Sequence, residues 1–207
     1  MLVRKNKKYP DHASLKKANS NFVNNMPERW DSDLYDSIRK KFIFVLSYIP
    51  VKCKLLDIGC NSGEMGRMIK SVNKCDVYGI DINRKLVKIA KGKIKAKYGD
   101  AEKIPFPDNT FDCVFLGEML EHTYKPDLVL KGIKRVLKPE GLLLGTTINE
   151  EYMFKTSGWE WDDERCHART YNSESMGKLI AKQFRFVNIF NVKTANTWMW
   201  IIFKGRK

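Results

Sequence analysis

The sequence predicts an α/β domain built on a seven-stranded sheet that is mostly parallel and ends in an antiparallel hairpin. Two observations lead to this fold class. Between residues 52 and 149, five short apolar segments alternate with amphipathic segments of helical period, which is typical of strands joined by helical crossovers. Near the end of the chain, two apolar segments are separated by a short polar link. A parallel crossover needs a longer connection, so this pair is expected to form a hairpin.

The elements follow one another in a regular order. Apolar residues spaced four apart from Trp30 to Leu46 predict a first helix, which Pro50 ends. The last helix is expected at 172–184, after a polar and aromatic loop at 150–170. The predicted strands are 52–60, 75–83, 94–102, 110–120, 141–149, 184–192 and 197–205. The helices between the first five strands are predicted at 64–72, 84–93 and 127–138.

The composition indicates one folded domain. The chain has 207 residues and 43% of them are hydrophobic, which is enough for a single core. We expect residues 1–28 to be a basic, mobile arm and residues 29–207 to be the folded domain. No apolar run approaches the roughly 20 residues of a membrane span, and the arm lacks the apolar segment of a signal peptide. Five scattered cysteines without a CxxC pair favour a cytoplasmic location.

The chain is strongly basic, with a formal net charge of +14 from 38 Lys and Arg against 24 Asp and Glu. Such an excess favours anionic partners, such as nucleic acid, an anionic lipid surface or a phosphorylated small molecule. A lysine-rich solvated surface explains it equally well, because the basic residues are spread along the chain. The sequence does not interleave them with a stacking platform. Nucleic acid is therefore a conceivable partner that the sequence does not favour.

Polar and glycine residues follow the predicted strands where a doubly wound sheet binds its ligands, beyond the carboxyl ends of the strands. LLDIGCNSG joins the first strand to its helix, and its glycines, Gly59 and Gly63, are not spaced as in the G-x-G-x-x-G of dinucleotide enzymes. Asp81 ends the second strand, where a carboxylate can accept hydrogen bonds from ribose hydroxyls. Asp100 ends the third strand, and GEMLEH ends the fourth.

Taken in order, LLDIGCNSG, VYGIDI, GDAEKIPFPDNTFDCVFLGEMLEH and RVLKPEG resemble class I S-adenosylmethionine-dependent methyltransferases of the ubiquinone and menaquinone biosynthesis type, over about residues 53–149. The resemblance implies a Rossmann-like, doubly wound fold and S-adenosylmethionine as the cofactor. It implies a ribose contact for Asp81 and adenine contacts for Ile82, Asp100 and Ala101. The implied cofactor-binding residues are Asp57, Gly59, Asn61, Gly63, Asp81, Ile82, Asp100, Ala101 and Leu116.

The chain departs from the family pattern at two positions. Asn61 stands where the family has glycine, and asparagine tolerates positive φ better than other side chains, so we expect the turn to be kept. Glu140 replaces the second glycine of the family's KPGG turn. That turn is remote from the expected ligand.

Three residues are candidates for catalysis: Glu118, His122 and His167. A hydroxyl acceptor needs a base, and histidine titrates near neutral pH. On a helical turn, Glu118, Glu121 and His122 would share one face at i, i+3 and i+4. The alternative is a divalent metal held by these three residues and His167, similar to a group found in small-RNA 2′-O-methyltransferases and some quinone O-methyltransferases. The residues alone leave both open, and no metal is assigned.

The segment HARTYNSESMGKLI is similar to a segment of glycan and sugar-related methyltransferases. With the class I resemblance, it predicts an S-adenosylmethionine-dependent methyltransferase acting on a small-molecule or glycan-type acceptor at oxygen. Two alternatives remain open. One is an RNA methyltransferase, and the other is a catalytically silent domain that binds the cofactor or a partner subunit.

Overall fold

A computed structural model describes residues 32–157, 167–193 and 199–207, with the side chains of 32–39 and 157 excluded. The predicted arm at 1–28 and Cys166 lie outside this part of the chain, so the arm and the boundary at residue 29 stay predictions. The strands are β1 Lys54–Ile58, β2 Asp76–Asp81, β3 Lys95–Tyr98, β4 Phe111–Gly117, β5 Leu137–Ile148, β6 Arg185–Lys193 and β7 Met199–Arg206. The helices are α1 Ser32–Tyr48, α2 Glu64–Asn73, α3 Arg84–Ala90, α4 Pro126–Val136, α5 Glu150–Ser157 and α6 Ser173–Ala181.

The seven strands form one sheet in the order β3-β2-β1-β4-β5-β7-β6. The pairs among β1 to β5 are parallel, and β7 is antiparallel to both β5 and β6. This confirms the predicted fold class, including the C-terminal hairpin. Because β1 to β5 run in the same direction, they all end at one side of the sheet, which we call the carboxyl edge.

Two hydrophobic cores cover the two faces of the sheet. One contains apolar residues of α4 and α6, and the other contains those of α1, α2 and α3. In β1, Leu55 belongs to the second core and Leu56 to the first, and both are fully buried. A strand covered on both faces is apolar at consecutive positions, which explains the unbroken runs in the sequence. None of the helices in the described ranges has the length and apolar character needed to cross a membrane.

The structure corrects two sequence predictions. Residues 150–157, predicted as the start of a loop, form α5. The side chain of Asn149 accepts a hydrogen bond from the backbone of Tyr152 at 3.2 Å, which is how a helix cap satisfies a free N–H group. Two glutamates in the first turn favour the same helix through its dipole. The polar composition of the segment therefore reflects a capped helix.

The second correction concerns the buried face of α1. Lys41 and Val45 are its buried positions among the described side chains, followed by Ile49 just after the helix, whereas Phe42 and Leu46 of the predicted stripe are only half-buried. The buried face is thus rotated by one residue relative to the predicted apolar stripe. Lys41 occupies a buried position at which hydropathy would predict an apolar side chain. The side chains of Trp30, Leu34 and Ile38 fall outside the described part of the chain.

The docking of β7 on β5 generates a stability prediction. Gly145 pairs with Phe203 across these strands, and a Cβ at Gly145 would collide with the fully buried Phe203 ring. Gly145→Ala is expected to lower the free energy of unfolding by about 2 kcal/mol, since overpacking forces the core to shift. Chemical denaturation measures the change.

Gly177→Ala in α6 is the matched control, because its Cβ would meet only Ile189 at 3.5 Å. It is expected to stabilise the protein by about 0.5 kcal/mol through helix propensity. Adding Phe203→Leu should reduce the cost of Gly145→Ala, so that the double change costs less than the sum. Equal stability of Gly145→Ala and wild type would contradict the close packing of these strands.

Candidate active site

The turn after β1 adopts left-handed backbone conformations at three positions. Gly59, Asn61 and Gly63 have φ values of 74°, 50° and 83°. The expectation that Asn61 keeps the turn is therefore confirmed. The N–H groups of Gly59 and Cys60 both donate to the carbonyl of Ile80, at 2.8 and 3.0 Å, which fastens the turn to β2.

Asp81, at the end of β2, connects this turn to the next helix. One carboxylate oxygen accepts from the backbone N–H of Asn61 at 2.9 Å, and the other accepts from Asn83 N–H at 2.8 Å. Asn83 in turn caps α3. Burial raises the pKa of Asp81 above its ordinary value, and the hydrogen bonds from Asn83 and Asn61 oppose that shift. The carboxylate is thereby held in one orientation at the carboxyl edge.

Asp57 lies beneath the same turn and is 2% exposed. Its Oδ2 atom has no hydrogen-bond partner among the described residues. Burial, followed by the negative charge of Asp81, raises the pKa of Asp57 to about 7. A buried carboxyl group beside a second carboxylate favours a cationic ligand, because a positive charge would compensate both.

The remaining candidate cofactor residues also lie towards the carboxyl edge. Pairing of Asp81 with Tyr98 puts Asp100 just beyond the end of β3, where its Oδ1 accepts from the backbone of Glu102 at 3.0 Å. Ile82 and Ala101 are half-buried. Leu116 differs from them, because its side chain is fully buried within the core.

Glu118 departs from the predicted geometry. It has a φ of 50° and precedes the short 3-10 turn Leu120–His122, so it does not share a helical face with Glu121 and His122. Its Oε1 atom instead accepts hydrogen bonds from Thr146 Oγ1 at 2.5 Å and from Lys41 Nζ at 3.2 Å. The Lys41 ammonium also lies 3.6 Å from the centroid of the Trp200 ring. The predicted i, i+3, i+4 face is therefore wrong for Glu118.

The structure brings Glu121, His122 and His167 together, and we call them the histidine cluster. One ligand atom from each lies within 4.8 Å of the others, and the imidazole rings meet edge to face with centroids 4.7 Å apart. The backbone N–H of Ala168 donates to the carbonyl of Glu121 at 2.8 Å. This bond attaches the segment before α6 to the turn after β4. Ala168 and Glu121 are 47 positions apart in the sequence.

The two buried members of the histidine cluster have different partners. His167 is 6% exposed, and its Nδ1 atom lies 2.5 Å from Glu150 Oε1. Glu121 is 2% exposed, and its Oε2 atom has no hydrogen-bond partner in the described part of the chain. Burial, followed by the charge of Glu118, raises the pKa of Glu121 well above its ordinary value. His122 is half-buried, so it is the more accessible of the two imidazoles.

Sequence reasoning missed Lys41, Thr146 and Glu150. Glu150 follows β5 just as Asp81 and Asp100 follow their strands, so the same rule would have found it. Thr146 lies inside an apolar strand, and no pattern in the sequence marks it as a site residue. Lys41 precedes the domain's first strand, and only the structure reveals that it is buried at the carboxyl edge.

A polar cavity of about 410 Å³ opens between α5 and the start of α6. Its lining is Asn149, Glu151, Tyr152, Lys155, Asn172, Ser173 and Glu174. Glu150, which contacts His167, lies between two of these residues in the sequence. The hydroxyl, amide and carboxylate groups of this cavity suit a ligand rich in hydrogen-bonding groups.

Comparisons with known proteins agree with this arrangement. Residues 56–145 match the family model of a methyltransferase domain, Methyltransf_11. The ubiquinone/menaquinone biosynthesis C-methyltransferase UbiE of Pseudomonas paraeruginosa is 34% identical over 116 residues, which cover 51% of this chain and 45% of that protein. The chain spans just under half the length of the curated relatives that it matches.

Solved structures share the fold over most of the chain. A methyltransferase of Thermotoga maritima superposes with a TM-score of 0.73 at 19% identity, covering 92% of this chain and 99% of that one. The cyclase SpnF superposes with a TM-score of 0.67 at 20% identity, covering 81% and 80%. At these identities the likeness concerns the fold alone, and SpnF illustrates that one fold hosts more than one activity.

The pKa of Asp57 generates a prediction for the ligand-free protein. Because this pKa is raised to about 7, the folded state keeps a proton that the unfolded state loses near pH 4. The free energy of unfolding should fall as pH rises between these values, by on the order of 1 kcal/mol per pH unit, and then level off. Asp57→Asn should lack this contribution. Urea unfolding at pH 5 and pH 7.5 measures it, and parallel behaviour of the two proteins would contradict it.

Proposed function

We propose that this chain is a class I S-adenosylmethionine-dependent methyltransferase, since residues 56–145 match the family model of a methyltransferase domain, and that it methylates an oxygen atom of a small-molecule or glycan-type acceptor. The observation that carries the proposal is a carboxyl edge with two chemically different halves. Buried carboxylates surround the β1 turn on one side, and the histidine cluster lies after β4.

The first half suits the cofactor. S-adenosylmethionine carries an ammonium group, a sulfonium cation and a ribose diol. Asp57 presents a buried carboxyl oxygen without a partner, which fits a cationic group, and the fixed carboxylate of Asp81 fits hydroxyl donors. The proposed cofactor-binding residues are Asp57, Gly59, Asn61, Gly63, Asp81, Ile82, Asp100, Ala101 and Leu116. When bound, the cofactor supplies the methyl group, and S-adenosylhomocysteine is released.

The second half suits removal of a proton from an acceptor hydroxyl. His122 is half-buried and faces His167, so we assign it as the base that takes this proton while the oxygen forms its bond to the methyl carbon. Glu150 contacts Nδ1 of His167 and fixes the orientation of that ring. Glu118 contributes a carboxylate held by Lys41 and Thr146. The polar cavity beside Glu150 supports an acceptor with several hydroxyl groups.

A divalent metal in the histidine cluster is the second candidate mechanism. One carboxylate and two imidazoles have ligand atoms within 4.8 Å of one another, and the partnerless Oε2 of Glu121 would gain a positive partner. Such a donor set suits Mn²⁺ and related ions. A metal there would polarise the acceptor oxygen, and Glu150 would orient His167 as a ligand.

Other acceptors would give different products. The Pseudomonas relative named above is a C-methyltransferase, so methylation at carbon is one alternative, and methylation of RNA is another. A domain that binds the cofactor without turnover is a third. Release of S-adenosylhomocysteine in a panel of sugars, quinols, lipids and tRNA, followed by NMR of the product, separates these outcomes. We place the enzyme in the cytoplasm, since its described cysteines are free thiols.

The cofactor site generates a binding prediction. Asp81→Ala should weaken S-adenosylmethionine binding by about 2 kcal/mol or more, because it removes charge-assisted hydrogen bonds. Asp76→Ala is the control, since Asp76 begins the same strand at its opposite end and pairs with Lys95. Calorimetry measures both affinities, and thermal unfolding verifies that both variants fold. Unchanged affinity in folded Asp81→Ala would remove this aspartate from the site.

The histidine cluster generates a prediction that separates base from metal. If a metal is used, EDTA should abolish turnover, Mn²⁺ should restore it, and His122→Ala should cause the same loss as chelation. Electron paramagnetic resonance should then detect Mn²⁺ bound to wild type and not to His167→Ala. Full turnover in EDTA, with loss of activity in His122→Ala, would leave His122 as a base.

A further inference from the structure

The basic residues of this chain are concentrated near α3 and β3. Residues 84–103 contain eight of the 38 lysines and arginines, with only Asp100 and Glu102 as acids. About a tenth of the chain therefore carries a formal charge of +6 out of the total of +14. Six of these eight residues form two groups: three cations occupied by a local partner, and three that are exposed and form no ion pair among the described residues.

Three lysines of this segment already have partners. Lys93 forms an ion pair with Glu64 at 2.5 Å, and Lys95 forms one with Asp76 at 2.7 Å. Lys97 donates to a backbone carbonyl at 2.5 Å, and its ammonium lies 3.7 Å from the centroid of the Phe106 ring. Lysines on an edge strand also discourage pairing with other chains. These three cations therefore need no external ligand.

Arg84, Lys88 and Lys91 are different. They are exposed, and no ion pair within the described residues includes any of them. At i, i+4 and i+7 they share one face of the helical segment. Together with Val87 and Tyr98 they line a cavity of about 160 Å³, and no carboxylate contributes to this lining. Three positive charges thus surround one cavity without local compensation.

An aromatic ring lies in the same cavity. Tyr98 is 45% exposed, and the guanidinium carbon of Arg84 lies 4.0 Å from the centroid of its ring. A guanidinium group packed on an exposed ring forms a planar platform, and nucleic acid bases stack on such groups. We call Arg84, Lys88, Lys91 and Tyr98 the basic face.

We propose that the basic face binds single-stranded nucleic acid, with the cations on phosphates and a base on the platform formed by Arg84 and Tyr98. Seven residue steps from Arg84 to Lys91 span about 10 Å of helix, close to three nucleotide steps of one strand at about 3.4 Å each. Binding by stacking and charge tolerates many sequences. The interaction does not depend on the proposed methyl transfer. The basic face includes no residue of the histidine cluster, where we propose that the acceptor reacts.

An anionic lipid surface would use the cations and leave the platform without a role. The experiment therefore varies charge and stacking separately. The probe is a fluorescein-labelled single-stranded RNA of about ten nucleotides, which is within the range of site sizes for such proteins. Fluorescence anisotropy measures its affinity for the full chain at several salt concentrations, without cofactor.

Lys88→Glu/Lys91→Glu is the charge variant, and Lys131→Glu/Lys134→Glu on α4 is its matched control. Both pairs are exposed on a helix, and both changes lower the net charge by the same amount. The first pair should weaken binding at least tenfold and flatten the salt dependence by about 1.4 in log–log slope, since each phosphate contact contributes about 0.7. The control should change the affinity less than threefold.

Tyr98→Leu and Tyr98→Phe test the platform. Tyr98→Leu should weaken binding at least fivefold, because stacking on the ring is lost, and Tyr98→Phe should restore it. Thermal unfolding verifies that the variants fold. Equal losses in the two charge variants, an unchanged affinity in Tyr98→Leu, or equal binding of the probe's duplex form would overturn the proposal. So would vesicles of anionic phospholipid that bind as tightly as the RNA and show no effect of Tyr98→Leu.

Discussion

The gathering of five carboxyl groups at one side of the sheet, three of them buried (Asp57, Glu121 and Glu150) and two half-buried (Asp81 and Glu118), is the constraint on which the site depends. A carboxylate removed from water is costly unless hydrogen bonds or positive charges compensate it. Three of the five have visible compensation: Asp81 from two backbone N–H groups, Glu118 from Lys41 and Thr146, and Glu150 from His167. Asp57 and Glu121 each retain a buried oxygen without a partner among the described residues, as Glu118 does at its second oxygen. The raised pKa values of Asp57 and Glu121 reflect their burial and the negative charge of a neighbouring carboxylate.

Asp57 and Glu121 divide the carboxyl edge by chemistry. Asp57 lies beneath the β1 turn, where we propose that a cationic cofactor binds, and Glu121 lies beside two imidazoles. The protein as a whole is strongly basic, so this acidic region stands out against the overall charge. The opposite condition holds at α3, where Arg84, Lys88 and Lys91 surround a cavity without an acid. Charge is thus segregated on the molecule, and the composition alone would not reveal where.

The features that could be predicted from the sequence are those that local chemistry determines. The alternation of apolar strands and amphipathic helices predicted the mostly parallel sheet, and Asn61 was correctly expected to hold a positive φ. The errors come from contacts across the chain. Glu118 does not lie on the expected helical face, because Thr146 of β5 and Lys41 of α1 hold its carboxylate. No local sequence pattern predicts such distant partners. The platform on Tyr98 was missed for the same reason, because Arg84 lies 14 positions earlier in the sequence.

The same long-range contacts link the two ends of the folded domain to its chemistry. Lys41 comes from the first helix and contacts both the Trp200 ring of the last strand and the Glu118 carboxylate. The negative charge of Glu118 raises the pKa of Glu121, so a cation that compensates Glu118 also weakens its effect on the histidine cluster. The docking of α1 therefore influences the electrostatics of the acceptor half as well as its shape. Since an ammonium group on the face of an indole is stabilised there without a full counter-charge, Lys41 can remain buried while it shares Glu118 with Thr146. A methyltransferase fold supplies the strands that end together, and the acid and base groups at that edge depend also on Lys41, Thr146, Glu150 and His167, which lie outside the matched family segment.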